Sequence, residues 1–273
     1  MRMANLSRFA LLQKKAPLVG AFFVGAIWHF PAQAFCPLPE SPQQVAVRSV
    51  VDGDTVRLVD GRSVRLIGIN APEIGHKGRT SEPYAEAAKR RLQALVKASD
   101  GRIGLVPGVE GKDKYGRTLA HLYGRSGDNL EAQLLSEGLG YRVAIAPNVT
   151  LTSCQQQAEQ AARKAKVGLW RASPVLPAEH VRQSGFAVIV GKITAIERNR
   201  GGVWLELDDS VVLQIPARLQ HNFPASFFAN LKGRQVEARG WVLDRSRKGG
   251  LKPGQQRWLL PLTDPSMLEP VSG

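Results

Sequence analysis

The sequence is poor in cysteine, in acidic residues and in long apolar segments. It has two cysteines, Cys36 and Cys154, and no cysteine–histidine spacing of the kind that binds zinc. The five histidines are scattered, so we expect solvated or hydrogen-bonding roles for them. The apolar run at residues 16–28 is shorter than the ~20 residues that a membrane-spanning helix needs. These absences argue against a zinc-centred fold and against an ordinary transmembrane protein.

The shortage of acidic residues leaves a strongly basic chain. Among 273 residues there are 37 lysines and arginines against 23 aspartates and glutamates, which gives a net charge of +14 and a pI near 10.2. Such an excess attracts polyanions, and nucleic acid and an anionic membrane surface are the leading candidates. A basic surface that only keeps the protein soluble is the alternative. The length permits two small domains as readily as one large one.

The amino terminus has the pattern of a secretory signal peptide. The apolar run at residues 16–28 is followed by the small-x-small sequence Ala32-Gln33-Ala34, and it is preceded by four basic residues, Arg2, Arg8, Lys14 and Lys15. We predict that residues 1–34 are removed and that the mature chain is periplasmic or secreted. After cleavage no stable membrane association is expected. An uncleaved amino-terminal anchor is the alternative.

Export changes what the two cysteines can do. In an oxidising compartment an even pair favours a disulfide, here between Cys36 and Cys154. Closing so long a loop stabilises by ~4–5 kcal/mol in the chain-entropy model. Two buried free thiols are the alternative.

The part of the chain after the signal peptide, residues 35–171, has a strand and helix pattern typical of a small Greek-key barrel of the OB type. Three strands are predicted at 44–51, 54–59 and 63–69, with an Asp60-Gly61 hairpin turn between the second and third. A helix with one apolar face follows, then strands at 102–106 and 118–123. Two more helices are predicted, at 129–137 and from Thr152, whose spacing to Gln155 fits a capping box.

A second barrel is predicted at 186–273, after a linker at 172–185. The order of three strands, a short helix near 225–231 and two further strands repeats there. The predicted fold class is therefore a β-barrel with helices (α+β), in which one OB-type domain precedes a second OB-like domain.

Residues with useful chemistry cluster at strand ends in the first barrel. Asp54 and Asn70 offer hard oxygen ligands for Ca²⁺ or Mg²⁺ if the turn brings them together. Arg65 and Arg117 are suited to grip a phosphate and to neutralise charge in a transition state. Glu73 is suited to orient or deprotonate a water molecule.

These residues lie in motifs that resemble the staphylococcal nuclease (thermonuclease) family over about 45–170. The motifs are Val51-Asp-Gly-Asp-Thr-Val56, Val64-Arg-Leu-Ile-Gly-Ile-Asn-Ala-Pro-Glu73, Asp113-Lys-Tyr-Gly-Arg-Thr-Leu-Ala120 and Gly168-Leu-Trp170. The resemblance implies Ca²⁺-dependent hydrolysis of DNA and RNA to products with 3′-phosphate ends. It also implies roles for individual residues: metal ligand for Asp54, phosphate clamps for Arg65 and Arg117, general base for Glu73, and nucleic-acid contacts for Lys114 and Tyr115.

The sequence departs from the family pattern at two places. Asn70 replaces a metal-binding aspartate, so the amide oxygen and the backbone carbonyl of Ala71 remain as ligands and Mg²⁺ or Mn²⁺ become alternatives to Ca²⁺. Ala144 and Ala146 fall where the family has nucleotide-contacting tyrosines, which weakens base stacking there.

The second barrel has its own candidate surface for nucleic acid. A basic loop with Arg245, Arg247 and Lys248 accompanies Trp204, Trp241 and Trp258, a combination that suits single-strand binding, although the tryptophans also suit a barrel core. Two functions remain open: an exported metal-dependent nuclease, and a catalytically inactive protein that binds nucleic acid or a periplasmic partner.

Overall fold

A computed structural model describes residues 36–38, 42–75, 78–247, 251 and 254–271, all within one compact unit, Ala34–Gly273. The predicted signal peptide with its cleavage site before Phe35, and Lys248 of the basic loop, lie outside the described residues. Among the helices of the described ranges, none combines the length and the apolar character that crossing a bilayer requires.

The first half of the described chain contains six strands that precede its second helix. The strands are β1 (Gln43–Val50), β2 (Thr55–Leu58), β3 (Ser63–Leu66), β4 (Ile69–Asn70), β5 (Arg102–Lys112) and β6 (Thr118–Tyr123). Five of them close a barrel in the order β1-β2-β3-β6-β5, with β3 and β6 parallel. The tight turn between β2 and β3 uses Gly61 at φ 91°, a conformation that glycine adopts without steric cost. The predicted OB-type barrel is confirmed.

Three helices and a small ribbon complete this half. They are α1 (Ala85–Ala98), α2 (Leu130–Ser136), α3 (Thr152–Ala165) and β7 (Tyr141–Arg142), which pairs with β4. α1 buries the predicted apolar face against the barrel. The predicted capping box at α3 is wrong: Thr152 is already helical, and the buried Gln155 side chain donates to the Ile67 carbonyl oxygen, 3.1 Å away.

A disulfide ties the start of the described chain to α3. Cys36 and Cys154 are bonded, with Cα atoms 5.3 Å apart. Cys36 is fully buried in the core of the first barrel, and Cys154 packs against the same core. Residues 36–38 are thereby held on the barrel.

The second barrel repeats the strand order of the first. Its strands are β8 (Val175–Pro177), β9 (Gly185–Asn199), β10 (Gly202–Leu207), β11 (Val211–Pro216), β12 (Gln235–Asp244), β13 (Trp258–Pro261) and β14 (Leu268–Pro270). The order β9-β10-β11-β13-β12 closes through a β12–β9 pairing, and β11 and β13 are parallel. This is the order of the first barrel, so the prediction of a second OB-like barrel is confirmed.

Two segments of the second half differ in detail from their sequence pattern. The short helix expected at 225–231 is instead a 3-10 turn at Ala225–Phe228, because four residues between Pro224 and Ala229 close only i to i+3 hydrogen bonds. Within the segment interpreted as a linker, β8 pairs in parallel with β9, and Ala178 and Val181 are buried.

The two barrels meet through an ion network of three arginines and three glutamates. Arg239 of β12 lies 2.6 Å from Glu159 of α3 and 2.5 Å from Glu237, and Arg163 lies 2.8 Å from Glu237. The sixth residue of the network is Glu269, which lies 2.5 Å from Arg142 of β7. Several of these side chains are fully buried, so the network lies between the barrels and joins them.

Candidate functional site

The first side chain of the site is placed by the turn between β1 and β2. The Asp54 amide donates to Asp52 Oδ1 over 3.1 Å, which holds the turn. Between these aspartates stands Gly53, where a Cβ would lie 2.6 Å from the Cβ atoms of both Ala71 and Ala88. Only glycine permits this close approach, so the motif needs glycine at its centre for packing.

The carboxylate of Asp54 is buried and shared by several donors. Its Oδ2 accepts from the Ala71 amide at 2.7 Å and lies 2.9 Å from Nη2 of Arg65, and Oδ1 accepts from the Thr55 hydroxyl at 3.1 Å. Burial raises the pKa of Asp54 to about 7, although the positive charge of Arg65 opposes it; Asp52 adds a further rise. A second cation at this carboxylate would favour its ionised form.

Arg65 is held by four oxygen atoms around its guanidinium group. Nη1 donates to the carbonyl oxygens of Leu66 and Ile69, at 2.5 and 2.8 Å. Nη2 approaches Asn70 Oδ1 at 3.3 Å in addition to Asp54. The arginine therefore contacts, in this structure, both side-chain oxygens that the sequence assigns to a metal ion.

Asn70 and Ala71 reach the site because β4 pairs with β7. Asn70 lies opposite Tyr141 in this ladder and is 9% exposed. The hydrogen bond from the Ala71 amide to Asp54 then fixes the chain where β4 ends. Asp54, Arg65, Asn70 and Ala71 thus form one contact cluster, as the motif pattern predicts.

Glu73 lies at the exposed rim of this cluster. Its amide donates to Glu82 Oε2 at 2.9 Å, and the Glu82 amide donates to the Glu73 carbonyl oxygen at 3.0 Å. Partial burial of the carboxyl group raises the pKa of Glu73, as does the negative charge of Asp52, while Arg65 and Arg117 act to lower it. The carboxylate therefore lies in the electrostatic field of both arginines.

Arg117 stands at the turn between β5 and β6. Its Nε donates to Asp113 Oδ2 at 2.7 Å, and its amide donates to Asp113 Oδ1 at 2.9 Å. Burial acts to raise the pKa of Asp113, but these hydrogen bonds from Arg117 outweigh it and the pKa is lowered. Within the described chain Nη1 and Nη2 of Arg117 have no hydrogen-bond partner, so both can bind a phosphate.

The same turn presents an exposed aromatic ring between two cations. Tyr115 is 72% exposed, with Lys114 Nζ 4.9 Å and the Arg117 guanidinium carbon 5.6 Å from its ring centre. A ring and cations at the edge of a phosphate-binding site suit contacts with a nucleotide chain.

The remaining predicted residues lie on the second barrel. Arg245 and Arg247 form a 3-10 turn after β12, and no contact recorded for the described residues joins them to the cluster of the first barrel. Ala144 is fully buried in the core of the second barrel, and the Thr263 hydroxyl donates to the Ala144 carbonyl oxygen and accepts from the Ala146 amide.

Two neighbours of the site were missed by the sequence interpretation. Glu82 holds the loop that carries Glu73, and Tyr141 lies beside Asn70; burial, Glu82 and Glu159 raise the pKa of Tyr141 to about 12. Ser81-Glu82-Pro83 before a helix was a visible signal for Glu82. Nothing in the sequence pattern pointed to Tyr141, because its position depends on the β4–β7 pairing.

As a whole the site combines two carboxylates, those of Asp54 and Glu73, with the Asn70 amide oxygen and two arginines. No three histidine, cysteine, aspartate or glutamate side chains in the described ranges are grouped so as to hold a metal ion by themselves. Amide, backbone and substrate oxygens would have to complete any coordination. The arrangement suits binding and hydrolysis of a phosphodiester.

Comparison with known proteins gives consistent matches to this part of the chain. The family described as "Staphylococcal nuclease homologue" matches residues 63–172. Thermonuclease of Staphylococcus intermedius is 34% identical over 45% of this chain and 74% of the relative. Thermonuclease of Staphylococcus hyicus is 30% identical over 47% of this chain and 76% of the relative. The SPbeta prophage-derived endonuclease YokF of Bacillus subtilis is 31% identical over 56% of this chain and 51% of the relative, so the chain spans about half of YokF.

Proposed function

The chain belongs to the staphylococcal nuclease homologues and is therefore a nuclease, and we propose that it is an exported one. We further propose that it depends on a divalent metal and leaves 3′-phosphate ends on DNA or RNA. The observation that carries the proposal is the contact cluster of Asp54, Arg65 and Asn70 beside Glu73 and Arg117. Phosphodiester hydrolysis needs a clamp for the phosphate and a base for water, and these residues supply both.

The residues at the site fit a hard divalent cation held weakly. Asp54, the Asn70 amide oxygen and the Ala71 carbonyl would hold it, and the buried Asp54 carboxylate, with its raised pKa, is the kind of group that a cation stabilises. Ca²⁺ is the ion that the resemblance implies, with Mg²⁺ and Mn²⁺ as alternatives. When bound, such an ion would polarise a phosphate oxygen as a Lewis acid.

Arg65 and Arg117 divide the task of binding the phosphate. Arg117 has two terminal amino groups ready for bidentate contact. Both terminal amino groups of Arg65 already donate hydrogen bonds to oxygen atoms of the protein. Arg65 must therefore give up its contact with Asp54 or Asn70 to bind the substrate phosphate. Both arginines then face charge that grows on the phosphate oxygens during attack.

Glu73 accepts the proton of the attacking water. Its raised pKa makes it a stronger proton acceptor than an ordinary glutamate, and the hydrogen bonds between its backbone and Glu82 hold it beside the arginines. Water attack on phosphorus with loss of the 5′-oxygen leaves the phosphate on the 3′ side. Lys114 and Tyr115 bind the neighbouring nucleotides, and Arg245 and Arg247 bind the phosphate backbone farther away.

The direct test is cleavage by the purified mature protein. Single- and double-stranded DNA and RNA are incubated with Ca²⁺, Mg²⁺, Mn²⁺ or chelator, and product ends are assayed with a 3′-phosphatase. We expect metal-dependent products that become extendable by a polymerase only after phosphatase treatment. Cleavage that survives exhaustive chelation, or products with free 3′-hydroxyl ends, would contradict the proposal.

Asn70 supports a second candidate, a catalytically inactive nucleic-acid-binding protein. An amide at this position removes one negative charge from the cation site without removing an oxygen atom. Under this alternative, the protein binds DNA or RNA but cleaves neither at any metal concentration.

Replacing Asn70 by aspartate is expected to tighten metal binding by about tenfold or more, because ligand charge strongly tunes affinity for hard cations. The new carboxylate also attracts Arg65, which limits the gain. Metal titration by calorimetry and by activity, with and without a nucleotide analogue, measures the change. Asn230→Asp, on an exposed turn, is the matched control. Equal metal affinity in N70D and the unmodified protein would remove Asn70 from the metal site.

Export predicts a mature chain that begins at Phe35 and has no free thiol. The Cys36–Cys154 bond supports an oxidising compartment, since disulfides persist there and are rare in the cytosol. Intact mass and non-reducing peptide mapping of the protein from the periplasm or medium test both points. A chain without residues 2–34 serves as the control and should remain in the cytoplasm. Retention of Met1, or two free thiols in exported protein, would argue against export by this route.

A further inference from the structure

We propose that the second barrel binds an unpaired nucleobase bearing an exocyclic amino group, in a cleft between Trp204 and Arg245. The cleft has a volume of about 170 Å³ and is lined by residues of β9, β10 and β11 together with Arg245 and residues 254–256 between β12 and β13. The choice of nucleic acid as ligand rests on the proposed function. The cleft itself belongs to neither the catalytic cluster nor the interface between the barrels.

The cleft lies on the face that OB-type barrels use for ligands. In such barrels the second and third strands, with the loops between strands 1 and 2 and strands 4 and 5, bind oligonucleotides or oligosaccharides. Here these elements are β10, β11, the turn after Asn199 and the loop that starts at Arg245. Residues from all of them line the cleft.

Trp204 provides a flat surface in a fixed orientation. It points outward between the buried Val203 and Leu205, and its Nε1 donates to Asn199 Oδ1 at 2.9 Å. A Cβ on Gly201 would lie 3.2 Å from Trp204 Cζ2, so the glycine lets the turn lie against the ring. The guanidinium carbon of Arg245 lies over the ring, 5.6 Å from its centre, which places a cation at the aromatic surface.

Two carboxylates line the same cleft. Glu197 is the cross-strand neighbour of Trp204, and Glu206 follows two residues later on the same face of β10. Across the described ranges neither carboxylate has an ion-pair or hydrogen-bond partner. They therefore offer hydrogen-bond acceptors to a ligand that presents N–H groups.

The ligand that matches this chemistry has a π-face, N–H donors at its edge and a phosphate for the arginine. A cytosine or adenine base of a single strand meets all three conditions, since glutamate accepts hydrogen bonds from exocyclic amino groups. Thymine and uracil present carbonyl oxygens at that position, which the carboxylates repel. In a duplex each base face is covered by the neighbouring bases of the stack, so a cleft that contacts the face of one base selects single strands.

Binding of labelled oligonucleotides of about 12 nucleotides to the full chain tests the proposal. Anisotropy is measured in chelator, and gels verify that the strands are intact. We expect oligo(dC) and oligo(dA) to bind more tightly than oligo(dT) by roughly 5-fold to 150-fold. Trp204→Ala should weaken the binding of all three oligonucleotides, also by roughly 5-fold to 150-fold, because this range corresponds to the loss of one base–aromatic stacking contact. The double change Glu197→Gln and Glu206→Gln should abolish the preference over oligo(dT).

The controls are Val59→Ala, an exposed apolar side chain of the first barrel, and Glu179→Gln, an exposed glutamate. Unchanged affinity in W204A together with an unchanged preference in the glutamine variant would overturn the proposal. So would a chitin-type oligosaccharide that binds through Trp204 while oligonucleotides do not. Base-selective binding without any cleavage would overturn the proposed nuclease function and leave the cleft standing. Normal cleavage, together with cleft variants that bind oligonucleotides like the unmodified protein, would overturn the cleft proposal and leave the nuclease function standing.

Discussion

Replacing Arg117 by alanine, or Glu73 by glutamine, is expected to slow phosphodiester cleavage by about 10²- to 10³-fold in each case. For Arg117, loss of one transition-state hydrogen-bond donor commonly has this effect; for Glu73, a general base commonly contributes about 10²- to 10⁴-fold. Arg117 has two terminal amino groups directed to no protein partner in the described chain, and Glu73 lies in the field of both arginines. Single-turnover cleavage of a labelled strand, with circular dichroism to verify folding, measures the loss.

Matched surface changes separate catalysis from stability. Arg125→Ala removes an arginine whose partner is the exposed Asp100, and Glu179→Gln removes an exposed carboxylate, so both should retain full activity. The assignment of catalytic residues is wrong if R117A and E73Q cleave as fast as these controls.

Replacing Arg239 by methionine is expected to lower the free energy of unfolding by about 3–5 kcal/mol. Removing one partner of a buried ion pair leaves the other charge buried and uncompensated. Arg239 is 1% exposed and bonds Glu159 of the first barrel as well as Glu237 of the second. Urea unfolding followed by tryptophan fluorescence measures the change.

Arg62→Met is the control, because Arg62 pairs with Asp60 on the surface, where solvent screens the interaction and its loss should change stability little. A double variant that adds Glu159→Gln should destabilise by less than the sum of the two single variants, since their partners are shared. A loss in R239M no larger than in R62M would show that the network does not hold the barrels together.

The network also bears on any attempt to separate the barrels. Cutting the chain near Arg182 would remove Arg239 and Glu269 and leave Glu159 and Arg142 in the first barrel without those partners. Point variants in the full chain are therefore the sounder way to examine the second barrel.

Much of the catalytic cluster was predictable because it is local. Asp54 directly precedes β2, and Arg65 lies on β3 opposite Thr55, so the predicted hairpin brings these two together, whereas the β4–β7 pairing that places Asn70 was not visible in the sequence. The contacts of Arg65 were not predictable, since two backbone and two side-chain oxygens share its guanidinium group. Gln155 shows the same limit: its spacing suggested a cap, but a carbonyl 88 residues away became its partner.

The sequence by itself determined the two barrels, the glycine turns and the motif residues, because strand periodicity, turn conformations and motif spacing act over a few residues. The tertiary structure alone decided that Ala144 enters the second core, that Tyr141 lies beside Asn70, and that Trp204 faces a cleft with two carboxylates. The tertiary structure also determined which residues pair in the ion network, since partners such as Arg142 and Glu269 are 127 residues apart in the sequence. Any arginine and glutamate give the same sequence pattern, and only the closure of both barrels brings particular ones into contact.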